Sequence, residues 1–211
     1  MTKNHVLTSG RCTEISSGSL IAKFRNRDSF GVHWIIIDVS SRKTYKEWYA
    51  ETYGKITIQQ DSDDVAVLTL KQSVNINPIR INYFGLNEPG SSSKFIGWGR
   101  VTDSVFPIDP QKTELKLLSN DECRDRMKKN LPKQGKFTVP MRVMCATSNP
   151  AVSLADGDFG GPVFNKKDKV MGIVIRRAGV PNPDNLDGDQ TYLVLILEEF
   201  RDFLKHVTHG Y

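Results

Sequence analysis

Several function classes are excluded by what this sequence has little of. Its 211 residues include three cysteines and four histidines. Cys12, Cys123 and Cys145 are too few for a disulfide scaffold and are not in metal-ligand spacing. No window approaches the ~18 consecutive apolar residues of a membrane-spanning helix, so no membrane span is expected. The opening "MTKNHVLTSGRC" has no apolar run long enough for a secretory signal. There is no Asn-x-Ser/Thr sequon to argue for an extracellular surface. The net charge of +5 is diffuse, whereas a nucleic-acid reader gathers its charge in a stripe interleaved with aromatics. No nucleic-acid partner is expected. The densest basic run, "RDRMKKNLPKQGK" at residues 124–136, is read as a solvated helix and loop, with weak polyanion contact as its alternative.

What is present is a succession of short apolar runs. "HVLTS", "SLIAKF", "VHWIIIDV", "GKITIQ", "DVAVLTL", "PIRIN", "SKFIGWG", "TELKLL", "TVPMRVMC", "KVMGIVI" and "TYLVLI" are bounded by Gly, Pro, Asn, Asp and Ser. That pattern predicts an all-β sandwich or barrel. Two helices are expected. "SNDECRDRMKKN" opens on Ser119 with Glu122 three residues on, the signature of a capping box. In the C-terminal "LEEFRDFLKHV", Phe200, Phe203, Leu204 and Val207 share one face, with acids in the first turn and bases in the last. "NEPGSSSK" is the best linker, and it sets a boundary near residue 92 between units 1–92 and 93–211.

"LADGDFGGPVF", residues 154–164, is a rigid glycine frame that presents one side chain. Together with "VLTSGRC" (6–12), "DDVAVLTL" (63–70), "GWGRV" (97–101) and "KVMGIVI" (169–175), it resembles the chymotrypsin/trypsin-like serine proteases, whose triad is a worked template of acyl transfer. The resemblance implies two six-stranded antiparallel Greek-key barrels and a C-terminal α-helix. By the same resemblance the chain begins at the third strand. The first barrel is therefore expected to be incomplete, with an open edge, and Asp158 to lack a new N-terminal amine as its partner.

Position by position, the resemblance puts the catalytic histidine at Arg11, the orienting aspartate at Asp64 and the nucleophile at Phe159. Phe159 has no atom that can attack a carbonyl. Arg11 stays protonated and cannot act as general base. Loss of either the serine or the histidine of such a triad costs on the order of 10⁶ in kcat. Gly157 and the N–H of Phe159 match the oxyanion-hole pair. Arg11 and Asp64 are expected to pair across the old cleft. The pocket floor falls at Ser153, with Arg177 and Gln190 as walls that fill the slot. Asp184, Asp187 and Asp189 in the same loop do not have EF-hand spacing, so no metal or cofactor is expected. A Cys123–Cys145 disulfide follows from the resemblance, and Cys12 is left without its family partner.

Three functions fit these residues. The first is a secreted, non-catalytic protease homologue that binds protein, a protease or a protease substrate, in an extracellular proteolytic cascade. The second is a serine-type endopeptidase working through substituted residues such as Cys12. The third is a decaying duplicate.

Overall fold

The computed structural model describes residues 1–14, 18–28, 31–54, 62–83, 88–101, 105–130, 139–148, 154–177 and 191–210, with backbone only at 27, 28, 129, 130 and 177. The chain is mostly β. Its first half holds β1 (His5–Thr8), a one-turn helix α1 (Arg11–Glu14), β2 (Ile21–Asp28), β3 (Gly31–Thr44), α2 (Tyr45–Tyr53) and β4 (Ala66–Leu70). The second half holds β5 (Ser92–Gly97), β6 (Gln111–Leu117), α3 (Asn120–Asn130), β7 (Val143–Ser148), β8 (Pro162–Phe164), β9 (Val170–Arg177), β10 (Thr191–Ile196) and α4 (Arg201–His209).

The second half closes into a six-stranded antiparallel barrel in the order β10, β7, β6, β5, β8, β9. The first half is a four-stranded sheet ordered β1, β4, β3, β2, a half-barrel. Its long strand β3 continues through the polar "SSRKT" because a bulge at Ser40 re-registers the ladder onto β4. The Ser40 hydroxyl covers the irregularity by donating to the Thr69 carbonyl at 3.0 Å.

Three departures from the expected elements have local causes. "PIRIN" is not a strand, because only Ile81 makes a bridge, to Val170. The three-residue β8 was too short to register as a periodic run. The helix α2 was not expected at all, yet Thr44 and Glu47 form a capping box at its start. "GKITIQ" lies outside the described residues apart from its first glycine.

Strand β10 is buried on both faces. Tyr192 and Val194 point into the barrel interior with Phe95, Leu115, Met144 and Val174. Leu193 and Leu195 point the other way, into a second cluster shared with Val65 and Val67 of β4 and Phe200, Phe203 and Leu204 of the C-terminal segment. In that cluster Tyr45 stands edge-on to Phe200 at 4.8 Å, and Trp48 is tilted against Phe203 at 5.7 Å. The helix α4 thus does what its amphipathic spacing requires, but it docks on both halves. A side chain of this size buried fully contributes about 1.5–3 kcal/mol, which makes the shared cluster a principal bond between them.

Cys123 of α3 and Cys145 of β7 form a disulfide with 5.6 Å between Cα atoms. Ser119 caps α3 as its sequence predicts, with its hydroxyl and backbone N–H both donating to the Glu122 carboxylate at 3.0 Å.

Candidate functional site

The site is built where the end of β1 meets the start of β4 and the turn before β8. After Thr8, Ser9 and Gly10 lead into the single turn α1, where Thr13 is buried and its N–H and hydroxyl both donate to the Gly10 carbonyl. This turn aims the backbone of Arg11 at Asp64. The Arg11 N–H donates to Asp64 Oδ1 at 2.7 Å, and the guanidinium lies 3.2 Å from Oδ2. The two ends of the pair differ: the Asp64 side chain is 7% exposed and the Arg11 side chain 46%. On the Oδ2 side the contact is an ion pair, since that buried oxygen takes no well-aligned hydrogen bond. Burial pushes the Asp64 carboxyl above its usual value, and the Arg11 N–H and charge partly offset this.

Gly10 is required by proximity. A Cβ there would stand 3.1 Å from Asp64 Oδ1.

The 154–161 turn delivers Phe159. Asp158 donates its N–H to the Ala155 carbonyl, Gly161 donates to the Asp158 carbonyl, and Gly160 donates to Val174 of β9 at 2.7 Å. Gly157 and Gly160 have φ of +95° and +85°, a region that penalises any side chain. Phe159 is half-buried and packs on the barrel core. Among the described residues, neither the Gly157 N–H nor the Phe159 N–H has a hydrogen-bond acceptor.

Cys12 stitches the two sides of the seam. Its thiol donates to the Phe159 carbonyl at 3.5 Å and accepts from the Ser9 hydroxyl at 3.0 Å. Since Cys12 follows Arg11 directly, Arg11, Asp64 and Phe159 are gathered along one seam. His5 stands elsewhere, its ring bonded to the Thr2 hydroxyl at 2.5 Å.

Behind Phe159, the buried Asp158 accepts from the Gly99 N–H at 2.7 Å and the Ala155 N–H at 3.0 Å. Burial raises its pKa and the two N–H groups partly counter that. The glycines of "GWG" are dictated by this carboxylate: a Cβ on Gly97 or Gly99 would come within 2.1 Å of it. In front, the Phe106 ring comes within 3.2 Å of the Cβ position of Gly157, and the Arg100 guanidinium lies over that ring at 5.4 Å.

Of the expected pocket residues, Ser153 and Gln190 lie outside the described residues, as do Asp184, Asp187 and Asp189, and Arg177 is described in its backbone alone, at the end of β9. Among the described residues no three His, Cys, Asp or Glu side chains gather as a metal site. The sequence gave no sign of Phe106, whose loop has no periodicity. Nor did it reveal Arg142, which pairs with Asp63 at 2.5 Å and lies over the Tyr45 ring at 5.0 Å. That pair joins the strand entering the second barrel to the residue next to Asp64.

The family model described as Trypsin matches residues 1–187. Neuropsin, a serine protease expressed in the limbic system of mouse brain, has the same fold at a TM-score of 0.69 and 19% identity, over 98% of this chain and 86% of that one. An inactivated protease paralogue of the scabies mite matches at a TM-score of 0.73 and 14% identity, over 100% of this chain and 85% of that one.

Proposed function

The chain belongs to the trypsin family, and from that premise we propose that it is a non-catalytic member that acts by binding protein in an extracellular proteolytic cascade. One observation carries the reading: the residue presented by the Gly-Asp-x-Gly-Gly-Pro frame is Phe159, a hydrocarbon ring. An acyl transfer needs a nucleophile with a removable proton and a base that cycles near neutral pH. Arg11 takes the position of that base, is permanently charged and is committed to Asp64.

The rest of the frame favours binding over decay. Asp158, Gly97, Gly99, Gly157 and Gly160 all keep residue types that their contacts demand. In this reading Gly157 and Phe159 are the remains of an oxyanion hole, and Ser153, Arg177 and Gln190 the remains of a substrate pocket. The scabies mite neighbour, an inactivated paralogue by its own description, supports the idea that this fold is retained without turnover. Secretion fits the disulfide, which persists in oxidising compartments.

The second reading is an active peptidase. Its best nucleophile is Cys12, which bonds the Phe159 carbonyl, but its described hydrogen-bond partners include no base. Two experiments separate the readings. A fluorophosphonate probe should leave the purified protein unlabelled, and a broad peptide library should survive incubation with it. Turnover of that library, abolished by Cys12→Ala, would reverse the proposal.

A further inference from the structure

The second barrel closes on itself and the first sheet does not. Among the described residues, β2 pairs with β3 on one side and with no strand on the other. The Val39 N–H donates to the Leu20 carbonyl at 2.9 Å, which fixes the alternation along the ladder. Ala22, Phe24 and Asn26 therefore exchange backbone bonds with β3, and Ile21, Lys23, Arg25 and Arg27 turn their N–H and C=O groups to the open edge. The edge groups of Ile21, Lys23 and Arg25 have no described backbone partner.

A free edge of this length recruits another strand unless its side chains oppose it. The inward row, Ala22 and Phe24, packs with Val6, Ile35 and Ile37. On the outward face Lys23 stands opposite Ile36 and Arg25 opposite Trp34, with Ile36 and Trp34 exposed at 56% and 45%. Two copies joined edge to edge through β2 would set residues of the outward row against one another. Because that row is Ile21, Lys23, Arg25 and Arg27, most such pairs would be like-charged and unfavourable. The edge therefore selects against itself and in favour of acid. It already attracts one carboxylate, since Arg25 pairs with Asp109 from the loop before β6.

We propose that the β2 edge is a docking site for an extended segment of a partner protein in which acidic and apolar residues alternate. The partner backbone continues the ladder, its carboxylates face Lys23 and Arg25, and its apolar side chains extend the inward row of Ala22 and Phe24. This goes beyond the loss of catalysis and does not rest on it.

The test uses the full chain and a dye-labelled peptide alternating glutamate and valine, eight residues long like β2. A peptide alternating lysine and valine is the control. By fluorescence anisotropy the glutamate peptide should bind at least roughly tenfold tighter than the control, weaken with salt, and slow amide exchange at residues 23 and 25. Lys23→Pro removes an N–H that β3 does not use, so the sheet tolerates it and binding should fall roughly tenfold. Lys23→Glu, which leaves the backbone intact, should invert the preference between the peptides. Asp109→Asn should strengthen binding by freeing Arg25. Equal binding of both peptides, unchanged preference in Lys23→Glu, or exchange protection confined to another segment would overturn the proposal. So would a dimer of the chain that Lys23→Glu disrupts.

Discussion

Asp64 is held by Arg11 twice, through the backbone N–H at 2.7 Å and through the guanidinium at 3.2 Å. Only the second contact belongs to the side chain, and it is half in solvent. Arg11→Ala should therefore lower stability by only about 1 kcal/mol, read as a shift of the urea midpoint without a change in slope. Asp64→Ala should cost more, since the Arg11 N–H then loses its acceptor inside the seam.

Two buried carboxyls set the expected pH dependence. Asp64 and Asp158 are both raised above the ordinary 3.8 by burial. Each folded pKa thus exceeds its unfolded value, so the folded chain binds more protons between the two, and stability falls as pH rises through that window. Glu47 has the opposite sign. Its cap bonds with Thr44 and the nearby Arg42 and Lys43 hold it below 4.5 despite partial burial, and its contribution is complete above that pH. Chemical denaturation across mildly acid pH should show stability declining toward neutrality above the glutamate range. In Asp158→Asn that decline should be shallower, although the variant is less stable overall because one of its two N–H donors faces an amide NH₂.

The two close glycines of the frame differ from the glycines of open turns. Gly160 combines φ of +85° with a Cβ position 2.5 Å from the Thr8 hydroxyl and 3.0 Å from the Ser9 nitrogen. Gly90 has φ of +81° and open space. Gly90→Ala should cost about 1 kcal/mol, the left-handed backbone penalty alone. Gly160→Ala should cost more than about 3 kcal/mol and loosen the Cys12 contact with Phe159, measurable as faster thiol alkylation.

The disulfide joins residues 22 apart in sequence, with its two cysteines 0% and 1% exposed. Closing a loop of that size stabilises by about 3 kcal/mol on the chain-entropy account. The double substitution Cys123→Ala with Cys145→Ala should lose about that much by urea unfolding. Because the sulfurs are buried, reductant should act on the native protein only through its unfolded fraction.

Much of this architecture was legible because periodicity survives translation into packing. The alternation in "TYLVLI" became Tyr192 and Val194 on one side of β10 and Leu193 and Leu195 on the other. The same cap signature that revealed α3 through Ser119 and Glu122 was also written at Thr44 and Glu47. It was passed over there because "KTYKEWYAET" follows a long β run without turn residues. "PIRIN" alternates like a strand, but Pro78 and its polar neighbours leave only Ile81 to bond Val170. The positions at Arg11, Asp64 and Phe159 were found through motif frames. The thiol bridge from Cys12 to Phe159 was not, since a contact between residues 147 apart leaves no local trace.

The cluster around Tyr45, Trp48, Phe200 and Phe203 draws on residues from both ends of the polypeptide. Severed at the linker, each fragment would carry a raw apolar wound where the other had been. Neither should survive expression as an independent soluble piece, and the intact protein should melt in one calorimetric peak.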